Sequence, residues 1–219
     1  MKKLLGIFAM ASLLGQSSNG QANDIGMIAS ATYASSYVAK PGIIVQKSPS
    51  MQFFLKGQYQ NISAFVWKNL SDKTDEIDIG IDYTYNHDKK NKISGGYRLW
   101  KFREGDPDDI IEFNLEHEGD INASVKVSKV IERKDLATNI TLSKETSITK
   151  ELKFTPSAST SYINKFYNHT GWSHITLGGT LSYNINDNIN IALSGNTQTG
   201  MIPKIEDCEY AKAGITIKL

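Results

Sequence analysis

The chain has 219 residues, 40% of them apolar, a formal net charge of +1 and a single cysteine. That length suits one domain. So neutral a balance implies neither nucleic acid nor an acidic partner, and one cysteine excludes an internal disulfide.

The chain opens Met1-Lys2-Lys3, runs apolar from Leu4 to Leu14, and turns small and polar through Gln16 to Ala22. A basic start, a short apolar core and a small-residue exit predict a secretory signal peptide over residues 1–22, cleaved after Ala22. Its apolar run is too short to cross a bilayer as a helix. No other long apolar run follows, which excludes a helical membrane protein. Without Lys2 and Lys3 the formal charge becomes −1. Stability must then come from packing and strand pairing. Cys208 reads as an incidental loop residue.

No helical periodicity follows residue 23. About twelve segments alternate apolar and polar, the period of a strand. The first is Met27 to Tyr37, followed by a longer connection, Val38 to Ser50, that holds Pro41-Gly42. Met51 to Tyr59 and Asn61 to Asn69 form a hairpin with a very short turn. Glu76 to Asn86 is the clearest segment. Ile77, Ile79, Ile81, Tyr83 and Tyr85 occupy one face, and Glu76, Asp78, Gly80, Asp82, Thr84 and Asn86 the other. Lys92 to Phe102, Asp109 to Glu118 and Ile121 to Ile131 repeat the pattern. Ala137 to Thr146 and Lys150 to Asn164 alternate less cleanly. Pro156 cannot donate a ladder hydrogen bond, so it predicts a bulge or an early strand end. Ser173 to Ile185, Asn188 to Asn196 and Glu209 to Leu219 complete the set, with a long connection, Thr197 to Asp207, before the last.

Alternation leaves two architectures open. A soluble sandwich or lipocalin-like barrel turns the apolar face inward; a transmembrane barrel turns it toward lipid. Three features favour a closed antiparallel transmembrane β-barrel of about twelve strands. The strand count is even. Short and long connections alternate, with the short ones on the side of both termini, which predicts periplasmic termini. The chain stops on Leu219, at the end of an alternating strand. Strands of about ten residues match the length that crosses a bilayer at a tilt.

Ser35, Ser36 and Tyr37 are followed by Pro49 and Gln52, Trp67 and Asn69, Glu76-Ile77-Asp78 and Tyr83. With the later Glu112-Phe113-Asn114-Leu115, these elements resemble those of the TorF-type porins and related outer-membrane barrels. An arginine-glycine that often follows the first tyrosine in that family is missing; Ala39 and Lys40 stand there. The resemblance implies an exported outer-membrane barrel and transport, and it names no catalytic residue.

Pairing the strands gives an expected interior. Arg98 falls opposite Gly80, diagonal to Asp78 and Asp82, and near Glu112. Lys126 falls opposite Asn114, diagonal to Glu112 and Glu116. With Glu76, these residues form an acidic wall threaded by two cations. The opposite wall reads as neutral: Thr176, Thr180, Ser182, Asn184, Asn190, Ser194 and Thr216. Such a lining predicts a passive, porin-like channel for small polar or cationic solutes, surrounded by outer-membrane lipid. The alternatives are a structural or surface-binding barrel with a plugged lumen, and an outer-membrane lipid hydrolase using His169, Ser173 and His174. No carboxylate stands at a recognisable spacing to orient that pair, so no catalytic residue is assigned. No metal-ligand cluster and no cofactor motif occur.

Overall fold

The computed structural model describes residues 26–39, 43–46, 48–71, 75–102, 107–202 and 205–219. The expected signal peptide, Pro41-Gly42 and Pro203 lie outside the described residues.

Twelve strands form one antiparallel meander: β1 (Gly26–Ala34), β2 (Ser50–Tyr59), β3 (Ile62–Leu70), β4 (Glu76–Asn86), β5 (Asn91–Phe102), β6 (Asp108–His117), β7 (Asn122–Val130), β8 (Leu136–Ser143), β9 (Leu152–Asn164), β10 (Gly171–Asn184), β11 (Ile189–Gly200) and β12 (Cys208–Lys218). Each strand pairs with its sequence neighbours, and β1 also pairs β12, from Ile28↔Lys218 to Ala34↔Lys212. The sheet therefore closes on itself, leaving no edge of unpaired backbone groups. The ends of the chain meet at this seam: the Met27 amide donates to Leu219 O at 3.2 Å, and the Leu219 amide to Met27 O at 2.9 Å.

Connections at one end are of two to four residues, except 144–151. At the end where β1 begins and β12 stops lie residues 60–61, 87–90, 118–121, 144–151 and 185–188. The turns there are shaped by polar side chains that satisfy free amides. Asp88 Oδ1 accepts from the Lys90 and Asn91 amides at 2.7 and 2.8 Å. Together with the Asn91 side-chain amide, these bonds hold its carboxyl below the ordinary range. Gln60 takes the left-handed conformation the two-residue turn requires, with φ 51. The loops 35–49, 165–170 and 201–207 lie at the opposite end, where 35–49 is the longest connection; the expected short turn near Ser147–Thr149 is instead the eight-residue stretch 144–151.

Sidedness follows from exposure. Along β4, Ile79 and Ile81 are 51% and 52% exposed, whereas Glu76 is 3% exposed and Gly80 is buried. The same holds around the ring: Ile111, Phe113, Leu177, Leu193 and Tyr183 are exposed, and Glu112, Ser128, Ser161 and Thr176 are buried. Apolar residues face out and polar residues face in, the reverse of a soluble barrel. Exposed aromatics gather near both ends of the strands. Tyr33, Tyr162 and Trp172 lie toward the long loops, and Tyr59, Tyr83, Tyr85 and Tyr183 toward the short turns. That is how amphipathic rings distribute at two membrane interfaces.

Several expectations are corrected in detail. The first strand ends at Ala34; Tyr37–Ala39 belongs instead to a separate ribbon with Ile43–Gln46. β8 ends at Ser143, and Thr146–Ser147 is a separate short strand on β9. Pro156 neither bulges nor ends β9, which runs unbroken through it. Its carbonyl accepts from the Lys144 amide at 3.2 Å. In an antiparallel strand the nitrogen of that residue points the same way, and there the β8 ladder has already lapsed between Ser143↔Ser157 and Thr146↔Phe154. The missing donor therefore costs no ladder bond. β9 is irregular elsewhere, where a register shift at Ser161/Tyr162 leaves Ser173 as an extra residue between Trp172 and His174. β11 extends through Gly200, and Cys208 opens β12 rather than lying in a loop.

A charge on the outer face must enter lipid, whereas the adjacent inner residue meets water. Leu193→Arg is expected to lower folding stability in lipid vesicles by about 2–4 kcal/mol if the site lies near the bilayer midplane. Ser194→Glu, which faces Lys212 in register, is expected to leave it unchanged. Urea titration of the two refolded variants checks the pair.

Candidate functional site

The inner wall of β2–β7 encloses a cavity of about 370 Å³, lined among others by Lys56, Gln58, Ser63, Thr84, Ser94 and Asn114. Gln60, Asn61, Asn86 and Lys92, at the short-turn end, complete its rim. Its deep end is a charged cluster built by register. Gly80 pairs with Arg98, and Gly96 pairs with both Asp82 and Glu112. Arg98 Nη2 lies 2.7 Å from Asp82 Oδ1, and Arg98 Nε lies 3.1 Å from Glu112 Oε2. Lys126 Nζ reaches the same Glu112 oxygen at 2.9 Å, and the Ser128 hydroxyl donates to Glu112 Oε1 at 2.8 Å.

Two glycines make this geometry possible. A Cβ on Gly96 would collide with Asp82 Oδ1 and lie 2.5 Å from Ile81 O. A Cβ on Gly80 would collide with the Phe65 ring and lie 2.8 Å from Arg98 Cδ. The space expected for a guanidinium opposite Gly80 is thus shared with Phe65. The Arg98 guanidinium carbon sits 4.5 Å from the ring centroid, a cation–π contact.

The expected site residues separate into three groups. Asp82, Arg98, Glu112 and Lys126 come together, two carboxylates with two cations, so the cluster is balanced in charge. Glu116 is exposed at the short-turn end and accepts from Asn114 Nδ2 at 2.6 Å. Glu76 and Asp78 lie deeper, toward the long loops. Asp78 falls in register between Trp67 and Trp100, and its Oδ1 accepts no hydrogen bond among the described residues.

Sequence reading missed the aromatic share of the interior. Phe54, Phe65, Trp67 and Trp100 fall on the inner face. Beyond them, toward the long-loop end, Ile110, Val130, Ala137, Ile163 and Phe166 form a buried apolar layer against which Trp100 and Ile202 pack. Phe166 belongs to a short 3₁₀ turn, Phe166–Asn168, and Ile202 to the 201–207 loop. Two loops therefore fold inward at that mouth. The opposite wall is also not wholly neutral, because Lys212 stands on it in register with Ser194 and Ala34.

Ser173 and His174 both turn inward at the β10 bulge. The Ser173 hydroxyl lies 2.8 Å from His174 Nδ1 and 3.0 Å from Ser161 O, and Ser173 is fully buried. This arrangement fits pinning of the bulge, the hydroxyl being held between a backbone carbonyl and the imidazole. Among the described residues no group of His, Cys, Asp or Glu is placed to hold a metal ion.

The glycines offer a direct check on the cluster. Gly96→Ala is expected to lower the urea midpoint in detergent, by about 1–3 kcal/mol of stability, because backbone as well as side chain must shift. Gly57→Ala, with nothing within 4 Å of the added carbon, is expected to change little.

No family model and no curated relative matches the chain. Solved structures do. A KdgM porin in complex with disordered oligogalacturonate has a TM-score of 0.61 at 9% identity, over 88% of this chain and 98% of that one. The NanC porin has a TM-score of 0.59 at 12% identity, over 88% of this chain and all of that one. LpxR from Salmonella typhimurium has a TM-score of 0.52 at 10% identity, over 87% and 99%. At such identities the likeness concerns the fold: this chain has a barrel architecture shared with outer-membrane porins.

Proposed function

We propose that the protein is an outer-membrane channel that passes small polar solutes through the barrel interior. In this reading the chain is exported by the leader over residues 1–22, both termini lie in the periplasm, and the long loops face outward. Lipid surrounds the Ile, Leu and Tyr face. One observation carries the proposal: the polar cavity inside β2–β7 is walled by side chains and rimmed by residues of the short turns. The porins that share this fold support it, as does the early-strand resemblance to TorF-type porins. Lys126, Glu116, Ser63 and Asn114 line that cavity, a mixed surface suited to hydroxylated or zwitterionic solutes. The charged cluster would act as its fixed constriction, with Arg98 and Lys126 offsetting Asp82 and Glu112.

A second reading is a barrel whose interior is closed and whose loops do the work. The apolar layer around Ile110, Val130 and Phe166 at the long-loop end favours it. Side chains alone can fill much of a barrel this narrow.

Single-channel recording in planar bilayers separates the two. The channel reading expects resolved conductance steps from purified protein. It also expects Arg98→Ala to shift the reversal potential toward greater potassium over chloride permeability, since Asp82 then loses the cation 2.7 Å away. Absence of steps above background would favour the closed barrel. Steps with unchanged selectivity would remove Arg98 from the passage.

A further inference from the structure

The two halves of the interior differ in charge. From β9 through β12 and on to β1 and β2, no residue on the inner face is acidic. That face carries Ser157, Ser159, Thr176, Thr180, Ser194 and their neighbours, with Lys212 among them. The other lysines there have a partner or an open mouth. Lys153 pairs with Glu145 at 2.6 Å, Lys56 lies on the open cavity, and Lys218 is exposed at the strand end. Lys212 is half-buried, and among the described residues its Nζ has no carboxylate within 4 Å; it stands 5.5 Å from the Tyr210 ring centroid.

Hydroxyls converge on the same place. Ala34 separates Lys212 on β12 from Ser50 on β2, each in register with it. Ser50 is 2% exposed, and its hydroxyl makes no hydrogen bond among the described residues. Gly214 follows Lys212 on the same face, and a Cβ there would lie 2.8 Å from Thr32 Oγ1. The bare glycine thus leaves the Thr32 hydroxyl uncovered beside Lys212. Ser194 stands opposite on β11. Buried charges are ordinarily paired, and a buried hydroxyl ordinarily has a partner. Here, among the described residues, a cation and a hydroxyl lack theirs on either side of one alanine.

We propose that Lys212, with the hydroxyls of Ser50, Thr32 and Ser194, forms an oxyanion-binding subsite that takes the carboxylate or phosphate group of a small solute. The cation supplies charge, and the hydroxyls donate to the remaining oxygens. The proposal rests on a water-accessible interior, as the channel reading does, but it does not require conduction. It sets the subsite across the lumen from the charge-balanced cluster of Asp82, Arg98, Glu112 and Lys126.

Site-resolved acetylation of purified protein in neutral detergent, read by peptide mass spectrometry, tests the subsite with inorganic phosphate and then acetate as probes. Chloride at equal ionic strength is the reference. At a probe concentration near twice its dissociation constant, Lys212 modification is expected to slow about threefold, with Lys56 unaffected. Ser50→Ala is expected to weaken that protection without changing the Lys212 rate in chloride. Protection by phosphate alone identifies a phosphate-selective subsite, and protection by both a general oxyanion site. Equal slowing at Lys56 and Lys212, no slowing at either, or a Lys212 that stays unreactive in chloride would each overturn the proposal. Bilayer recording runs in parallel: protection without conductance steps would defeat the channel reading and leave the subsite standing.

Discussion

Every feature of this molecule depends on the closing of the sheet at β1 and β12. A backbone amide or carbonyl that meets hydrocarbon without a partner costs several kcal/mol. A strand-built membrane protein therefore cannot keep an edge. Here the strands nearest the two ends of the described chain meet in register from Ile28↔Lys218 to Ala34↔Lys212, and reciprocal bonds between Met27 and Leu219 finish the seam. Once the ring is closed, alternation along each strand has one consequence throughout: one set of residues faces out and the other faces in. The charged cluster, the serine-rich wall and the outward isoleucines all follow from that parity.

Closure also explains how a polar interior can be ordered without a hydrophobic core of ordinary size. Arg98 is held by Asp82, Glu112, the Tyr97 carbonyl at 3.2 Å and the Phe65 ring. Glu112 is shared by Arg98, Lys126 and Ser128. Removing one member of such a set leaves another charge poorly solvated, so the members act as a unit. The apolar layer of Ile110, Val130, Ala137, Ile163 and Phe166 is a small core placed inside the barrel near the long loops. The interior is thus graded, from an open polar cavity at the short-turn end to packed side chains at the other.

Strands such as Glu76–Asn86 were legible because their two faces differ sharply in polarity. The Arg98–Gly80 and Lys126–Asn114 pairings followed from turn positions alone, since a short turn fixes register. Legibility failed where both faces are alike. β3 presents Ile62, Ala64 and Val66 outward but Phe65 and Trp67 inward, so a count of apolar positions hides the inner aromatics. Through Ser157, Ala158, Ser159 and Thr160 both faces of β9 are small, and the period fades. The bulge at Ser161/Tyr162 carries no residue signal, yet it turns Ser173 and His174 to the same side. The isolation of Lys212 was hidden for another reason. It depends on β12, β1 and β2 lying side by side, and that contact joins opposite ends of the chain.

The central claim is the direction of the two faces of each strand. It is tested most directly by single cysteines placed in turn from Ile77 to Tyr85, leaving out Gly80 where an added Cβ would collide with Phe65, in a Cys208→Ser background, and labelled with a nitroxide in lipid vesicles. The account expects strict alternation: labels at Ile77, Ile79, Ile81, Tyr83 and Tyr85 relaxed by oxygen dissolved in the bilayer, and those at Asp78, Asp82 and Thr84 relaxed by a water-soluble nickel chelate. The opposite phase, or no alternation at all, would contradict it.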